Sequence, residues 1–398
     1  MTQSNSSPHN SWLAFVIAAA TFFFTMAGTT LPTPLYPIYT DQMQLSQLMI
    51  TTIFAVYAAG VIAALVISGS WSDQIGRKPV LYAGIIFSIL SDVLFCLADD
   101  VSLVLIARVV SGLSAGLFAS AATAAVIELA PKGFQRAGVL TATAANMGGL
   151  GLGPILAGAI AVALPQPLLM PYLAHSGLMI ICGLLFLRVP ENVKRSENVD
   201  LSPRKPAYPK EVRKVFPPAA IAAVAGFMVC GFYSAIIPNF LQTELHLSNH
   251  LLVGSVTGFM FIMSAVGQTV VDKIPQTYRQ VIGCAVLSVG TAIICGAFWT
   301  SGLVLLLTGT TVAGFGHGLA FKSGLSEIGA KAPDDKAAAT ISSYFIISYI
   351  SISVPVILVG LIHLKYALKP VSIGFAGFAV VLCLLAMLMI LKRQQADR

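Results

Sequence analysis

Gly69-Ser70-Trp71-Ser72-Asp73-Gln74-Ile75-Gly76-Arg77-Lys78-Pro79-Val80-Leu81 is a polar turn between two long apolar runs, residues 46–68 and 79–98. Each run is long enough to cross about 30 Å of hydrocarbon as a helix, which takes about 20 residues. Gly69 permits close helix approach, Gly76 a tight turn, and Pro79 suits the first turn of the next helix. Asp73 and Arg77 stand four apart at a helix end, where they pair or act on neighbouring helix termini. The same alternation of apolar run and short polar turn continues outward in both directions. The runs are 12–36, 46–68, 79–98, 102–128, 136–163, 168–187, 216–241, 250–271, 280–298, 302–326, 337–363 and 370–391. The expected fold is an all-α integral membrane protein with twelve transmembrane helices.

Composition excludes the soluble alternatives. Of 398 residues, 57% are apolar and only 10% charged, where a soluble domain carries about a quarter charged residues. The net charge of +7 sits in short loops rather than on a stripe or arm, so nucleic acid is not expected as a partner. All six cysteines fall inside apolar runs without a CxxC or Cys/His cluster, which argues against disulfides and metal sites. No GxxxxGK[ST] phosphate loop and no nucleophile–base constellation is present, so neither ATP hydrolysis nor another enzyme activity is expected, and no cofactor. Met1–Asn10 is polar without a charged segment, so no cleavable leader is expected.

One long polar stretch, 188–215, rich in Pro, Lys, Arg and Glu, divides the chain. It reads as a linker between an N-terminal six-helix bundle, 1–187, and a C-terminal one, 216–398. If the N-terminus is cytoplasmic, 19 of the 23 lysines and arginines fall in loops of that one face, Lys194, Arg204 and Arg398 among them. The other face keeps Lys365 and Lys369, while Arg108 and Lys322 lie inside spans. This segregation supports twelve spans with both termini cytoplasmic. A faint repeat links the halves: the fourth and tenth spans end in Glu128…Lys132 and Glu327…Lys331. Two similar bundles with a substrate path between them form a recurring transporter plan.

Two further motifs lie in the first half. The fourth span carries Arg108-Val-Val-Ser-Gly112-Leu-Ser-Ala-Gly116, a small-xxx-small packing face beside an intramembrane guanidinium. Asp92 of the third span lies at similar depth, so pairing with Arg108 is expected. The fifth span carries Gly148-Gly149-Leu-Gly151-Leu-Gly153-Pro154-Ile-Leu-Ala157-Gly158, where Pro154 removes a backbone hydrogen bond and bends the helix. Neighbouring groups must then satisfy the freed carbonyl.

Together these motifs resemble those of the major facilitator superfamily. The resemblance implies that Gly69, Asp73, Gly76, Arg77 and Lys78 form a cytoplasmic gate. Asp73 would sit against the eleventh helix near Lys336, and Arg77 would reach Glu128. The RxxxGxxxG pattern resembles the family's fourth-helix motif, whose arginine is implicated in proton coupling. Gly149, Gly153, Pro154 and Gly158 resemble the motif of its exporters, with Ala157 in place of a common glycine. The corresponding second-half loop, Gly267–Arg279, keeps only Asp272 and Arg279.

The first span departs from many drug/proton antiporters of that superfamily because it contains no carboxylate. Proton-coupling candidates are therefore Asp92, Arg108 and His317. Glu128 and Glu327 are expected in gate contacts, and Lys322 is expected to point inward or pair with Glu327. Family geometry lines the path with the first, fourth, seventh and tenth helices. The nominated cavity residues are Thr33, Tyr36, Arg108, Phe118, Tyr233, Asn239, His317 and Lys322, with Asn146 and Tyr344 in reserve. Such a pocket suits an amphipathic organic molecule, and two cations would tolerate an anionic or zwitterionic one. The resulting expectation is a monomeric, proton-coupled exporter of small amphipathic molecules in a bacterial plasma membrane. A proton-symport uptake permease is the alternative, and a membrane scaffold, sensor or enzyme the third class.

Overall fold

The computed structural model describes residues 8–396 except 194 and 204. Met1–Ser7, and Lys194, Arg204 and Arg398 of the charge tally, lie outside the described residues.

The first apolar run becomes α1 (Pro8–Thr30) and a single 3-10 turn at Thr33–Leu35, and α2 (Tyr36–Met43) follows. Pro32, Pro34 and Pro37 lack the N–H groups that would carry one helix through. The next helices are α3 (Gln47–Ser68), the short α4 (Trp71–Ile75), α5 (Arg77–Cys96), α6 (Val101–Leu129), α7 (Gln135–Ala163) and α8 (Met170–Phe186). After the linker come α9 (Phe216–Ala235), α10 (Ile237–Glu244), α11 (His250–Val270), α12 (Gln276–Thr300), α13 (Leu303–Lys331), α14 (Ala337–His363) and α15 (Leu368–Ala396). Among the described residues eleven segments are long and apolar enough to cross a membrane; the expected sixth span is the shorter apolar α8. Three of the helices starting on the face poor in Lys and Arg, α3, α6 and α11, are capped by Ser46, Asp100 and Asn249, whose side chains accept from the backbone N–H three residues on.

Within the first bundle, α6 packs on α3, α5 and α1. Within the second, α13 packs on α12, α11 and α9. The bundles meet chiefly through α7 against α11 and α3 against α14. Large apolar side chains such as Ile86, Leu184, Val304 and Phe378 point outward, more than half exposed, as a lipid-facing surface requires.

The α3–α6 contact explains the RxxxGxxxG spacing. A Cβ at Gly112 would overlap the Tyr57 carbonyl, and one at Gly116 would crowd Val61 and Ala64. Backbone therefore lies against backbone along this stripe.

Candidate functional site

A cavity of about 470 Å³ lies between the bundles. α1, α3, α6 and α7 line it from one side, and α9, α11, α13 and α14 from the other. Its wall is mostly apolar and aromatic: Phe54, Tyr57, Phe227, Phe261, Phe321, Phe345 and Tyr349. Thr29, Asn146, Gln268, Arg108 and His317 supply polar groups. It extends to Ile127 and Leu325 near the ends of α6 and α13, on the face where the basic loops gather.

At the opposite end the bundles close on each other. Gln47 of α3 donates to the Ala235 carbonyl at the end of α9 (3.0 Å), and Asn239 of α10 donates to Gln47 Oε1. Leu35, Tyr36, Ile237 and Leu241 are fully buried there. Thr33, Tyr36 and Asn239 therefore belong to this closed end rather than to the cavity. Tyr233 donates to, or accepts from, Thr310 (2.6 Å) inside the second bundle. Phe118 packs against Phe22 in the core of the first. Lys322 also lies off the cavity, and its Nζ is buried without a hydrogen-bond partner among the described residues. Of the eight nominated cavity residues only Arg108 and His317 line it.

Arg108 is 2% exposed and does not pair with Asp92. Its Nη1 donates to the Thr29 carbonyl (2.7 Å) and its Nε to the Ile53 carbonyl (3.3 Å). The guanidinium carbon lies 4.7 Å from the Tyr57 ring centroid. The proline-broken end of α1 leaves its last carbonyls needing donors, and a cation is favoured at such an end.

Asp92 turns the other way. Ser91 occupies the α6-facing position, donating to the Ala107 carbonyl (2.9 Å). The next residue on a helix is rotated by about 100°, so Asp92 faces α8. There its Oδ2 lies 2.7 Å from His175 Nδ1 and accepts from Ser176 (3.2 Å). His175 Nε2 lies 2.9 Å from the Phe24 carbonyl of α1. A carbonyl only accepts, so Nε2 carries a proton. The short Nδ1–Oδ2 contact then needs one more, held by either partner. The buried pair is thus neutral overall and shares a single transferable proton. His175 was missed in the sequence; a histidine in mid-span was the available signal.

His317 of α13 places Nδ1 2.9 Å from Ser264 Oγ, while Nε2 has no hydrogen-bond partner among the described residues. Its ring stands edge-on to Phe227 and stacked on Phe321.

On the basic face, Arg77 donates to Asp73 (2.6 Å), Ser72 (2.7 Å) and both oxygens of Glu128 (2.8 and 3.4 Å). Gly76 adopts φ 105°, a conformation that favours glycine, with Glu191 against it. Lys78 donates through its backbone N–H to Glu191 and through Nζ to the Leu187 carbonyl. Among the described residues no hydrogen bond or ion pair joins Asp73 to Lys336. Glu327 pairs with Arg393 of α15 (2.7 Å), not with Lys322. The linker is docked rather than free. Gln74 exchanges hydrogen bonds with Asp200 (2.7 Å each), and Trp71 donates to the Leu201 carbonyl. Ala207 bonds to Ala339 and Ser343 of α14. The exposed Asp200 carboxyl is held below its usual range by hydrogen bonds from the Ser202 hydroxyl and backbone N–H.

The glycines of α7 admit two neighbours. A Cβ at Gly149 or Gly153 would overlap α1 carbonyls, and one at Gly158 the His250 carbonyl of α11. Pro154 leaves the Leu150 carbonyl without its helical donor, and Thr30 Oγ1 supplies one at 2.9 Å. Thr30→Val is expected to destabilise the protein by about 1–2 kcal/mol, read as a lowered melting temperature in detergent. Thr30→Ser should melt like the parent.

The family model described as Major Facilitator Superfamily matches residues 18–356. Multidrug resistance protein 1 of Bacillus subtilis (strain 168) is 22% identical over 311 residues, 76% of this chain and 78% of that protein. Quinolone resistance protein NorA of Staphylococcus aureus (strain MRSA252) is 22% identical over 247 residues, 60% of this chain and 62% of that one. Among solved structures, a bacterial homolog of the human lysosomal transporter Spinster, inward-facing and unoccupied, superposes with TM-score 0.77. It is 14% identical and the match covers 98% of this chain and 99% of that one.

Proposed function

The chain belongs to the Major Facilitator Superfamily, and on that premise we propose that it is a proton-coupled exporter of small amphipathic organic molecules. The observation that carries this reading is the aromatic-lined cavity between the bundles, shut at one end and extending to the basic face at the other. Alternating access needs such a site at the interface of two bodies that rock about it. The bodies are taken as 1–187 and 216–398, joined by 188–215. The positive-inside rule places the basic face and both termini in the cytoplasm of a bacterial cell. The protein is taken to act as a monomer.

Export is supported by the Gly/Pro pattern on α7 and by the likeness to two resistance proteins. Asp92 and His175 are assigned the coupled proton. They share one, and His175 holds α1 through the Phe24 carbonyl. Five residues further on, the Thr29 carbonyl holds Arg108 at the cavity. A change in the proton on the pair is thereby felt along one helix at the substrate site. Arg77, Asp73 and Glu128 are assigned to the cytoplasmic gate with Lys336, open in this state.

Inside-out membrane vesicles, acidified inside and loaded with a pH-sensitive dye, test the reading. Adding a panel of anionic, neutral and cationic amphiphiles should release protons only where the protein is present. Protein-dependent uptake of protons with substrate, in place of exchange, would point to the permease alternative.

A further inference from the structure

Among the described residues lining the cavity, Arg108 is the only Asp, Glu, Lys or Arg. Two neutral carbonyls and an aromatic face orient its guanidinium, yet none cancels its charge. Nη2 donates no hydrogen bond among the described residues. Asp92, the carboxylate buried within the spans, is already held by His175 and Ser176. A charge removed from water without a counter-charge is costly, and in a low-dielectric site an anion relieves that cost strongly. Arginine's remaining N–H groups form a fork that matches a carboxylate.

His317 stands on the other bundle. It is 1% exposed, its Nδ1 is taken by Ser264, and its Nε2 is unpartnered among the described residues. Phe227 and Phe321 flank it, and Phe261 and Phe345 continue the apolar wall.

We propose that this cavity selects an organic anion with a flat aromatic body. Its carboxylate sits at the free side of the Arg108 guanidinium, its ring lies among the phenylalanines, and a second polar atom reaches His317 Nε2. The inference rests on the transporter reading above and adds the substrate's charge. A cationic amphiphile meets the guanidinium with no carboxylate in the wall to offset the repulsion, so the site discriminates by repulsion as well as attraction.

The test uses the full-length protein in lipid nanodiscs and four matched probes: 2-naphthoate, 6-hydroxy-2-naphthoate, 2-naphthamide and 2-naphthylmethylammonium. Equilibrium binding should favour 2-naphthoate over the amide by at least about tenfold, the usual reward of a charge-assisted hydrogen bond. The ammonium probe should bind more weakly still. The 6-hydroxyl should improve binding, and His317→Phe should erase that gain. Arg108→Gln loses a carbonyl clamp as well as a charge, so Arg108→Lys is the informative variant. It should keep the order of the probes with weaker naphthoate binding. Preference for the ammonium probe, equal binding of all four, or binding of none overturns the proposal. Proteoliposomes with a pH gradient separate the two readings. Movement of the ammonium probe alone keeps the transporter and overturns the anion site. Naphthoate that binds in the expected order without crossing keeps the anion site and overturns the transporter.

Discussion

Asp92→Asn is expected to reduce substrate-driven proton release in acidified inside-out vesicles to background while leaving substrate binding within about twofold. Asparagine is isosteric, and its amide can donate to His175 Nδ1 where the wild-type pair shares a proton. The hydrogen bond between α5 and α8 is thereby retained, and with it the fold. What is lost is the group that takes up and gives off a proton. His175→Gln should show the same loss, because Asp92 then stands without the nitrogen that shares its proton. Both effects are measured in one dye assay with binding followed in parallel. Undiminished proton release from the asparagine variant would remove Asp92 from the coupling path.

Gly258→Leu is expected to cut transport about 100-fold and to destabilise the protein by about 3 kcal/mol or more. A Cβ at Gly258 would overlap the Gly151 carbonyl on α7 and come within 3.2 Å of Ile155. Backbone atoms meet there, so no side chain can swing aside. α7 and α11 must separate, and they form one of the two main contacts between the bundles. Gly377→Leu on α15 serves as the control, since among the described residues nothing lies within 4 Å of a Cβ there. Transport and melting temperature of that control should match the parent. Normal transport by the Gly258 variant would show that the α7–α11 contact tolerates separation.

Much of the fold was legible because the solvent of a membrane helix dictates its sequence. Lipid demands long apolar runs and internally bonded backbone, and the turns between them stand out by charge. The run 337–363 matches α14 residue for residue, and 46–68 misses α3 by one. Pro32 and Pro34, near the end of the run 12–36, mark the point where α1 gives way to a 3-10 turn and then α2. The pairing of Arg77 with Glu128 is present as the family resemblance implied.

Rotation about each helix axis was the part that stayed hidden. Composition places Asp92 and Arg108 at one depth, but nothing in the run 79–98 says which side of α5 meets α6. Ser91 takes that side, and Asp92 is carried round to His175. Phe118 was nominated for its aromatic character on a lining helix, yet it lies on the face turned to Phe22. Thr33, Tyr36 and Asn239 were placed by helix number alone. Their depth puts them where the bundles touch, away from the cavity. Among the described residues Asp73 and Lys336 likewise share no hydrogen bond or ion pair, and the cavity reaches toward that face.

The central claim is that the two bundles open this cavity alternately to either face. The most direct test is a pair of distances by pulsed electron spin resonance in nanodiscs. One pair of labels sits on the basic face at Lys132 and Asp334, the other on the opposite face at Asp99 and Tyr366, all four exposed. Lowering the pH or adding a transported anion is expected to shift the two distributions in opposite senses, the basic-face pair shortening as the other lengthens. Distributions that stay fixed, or that change together, would contradict alternating access.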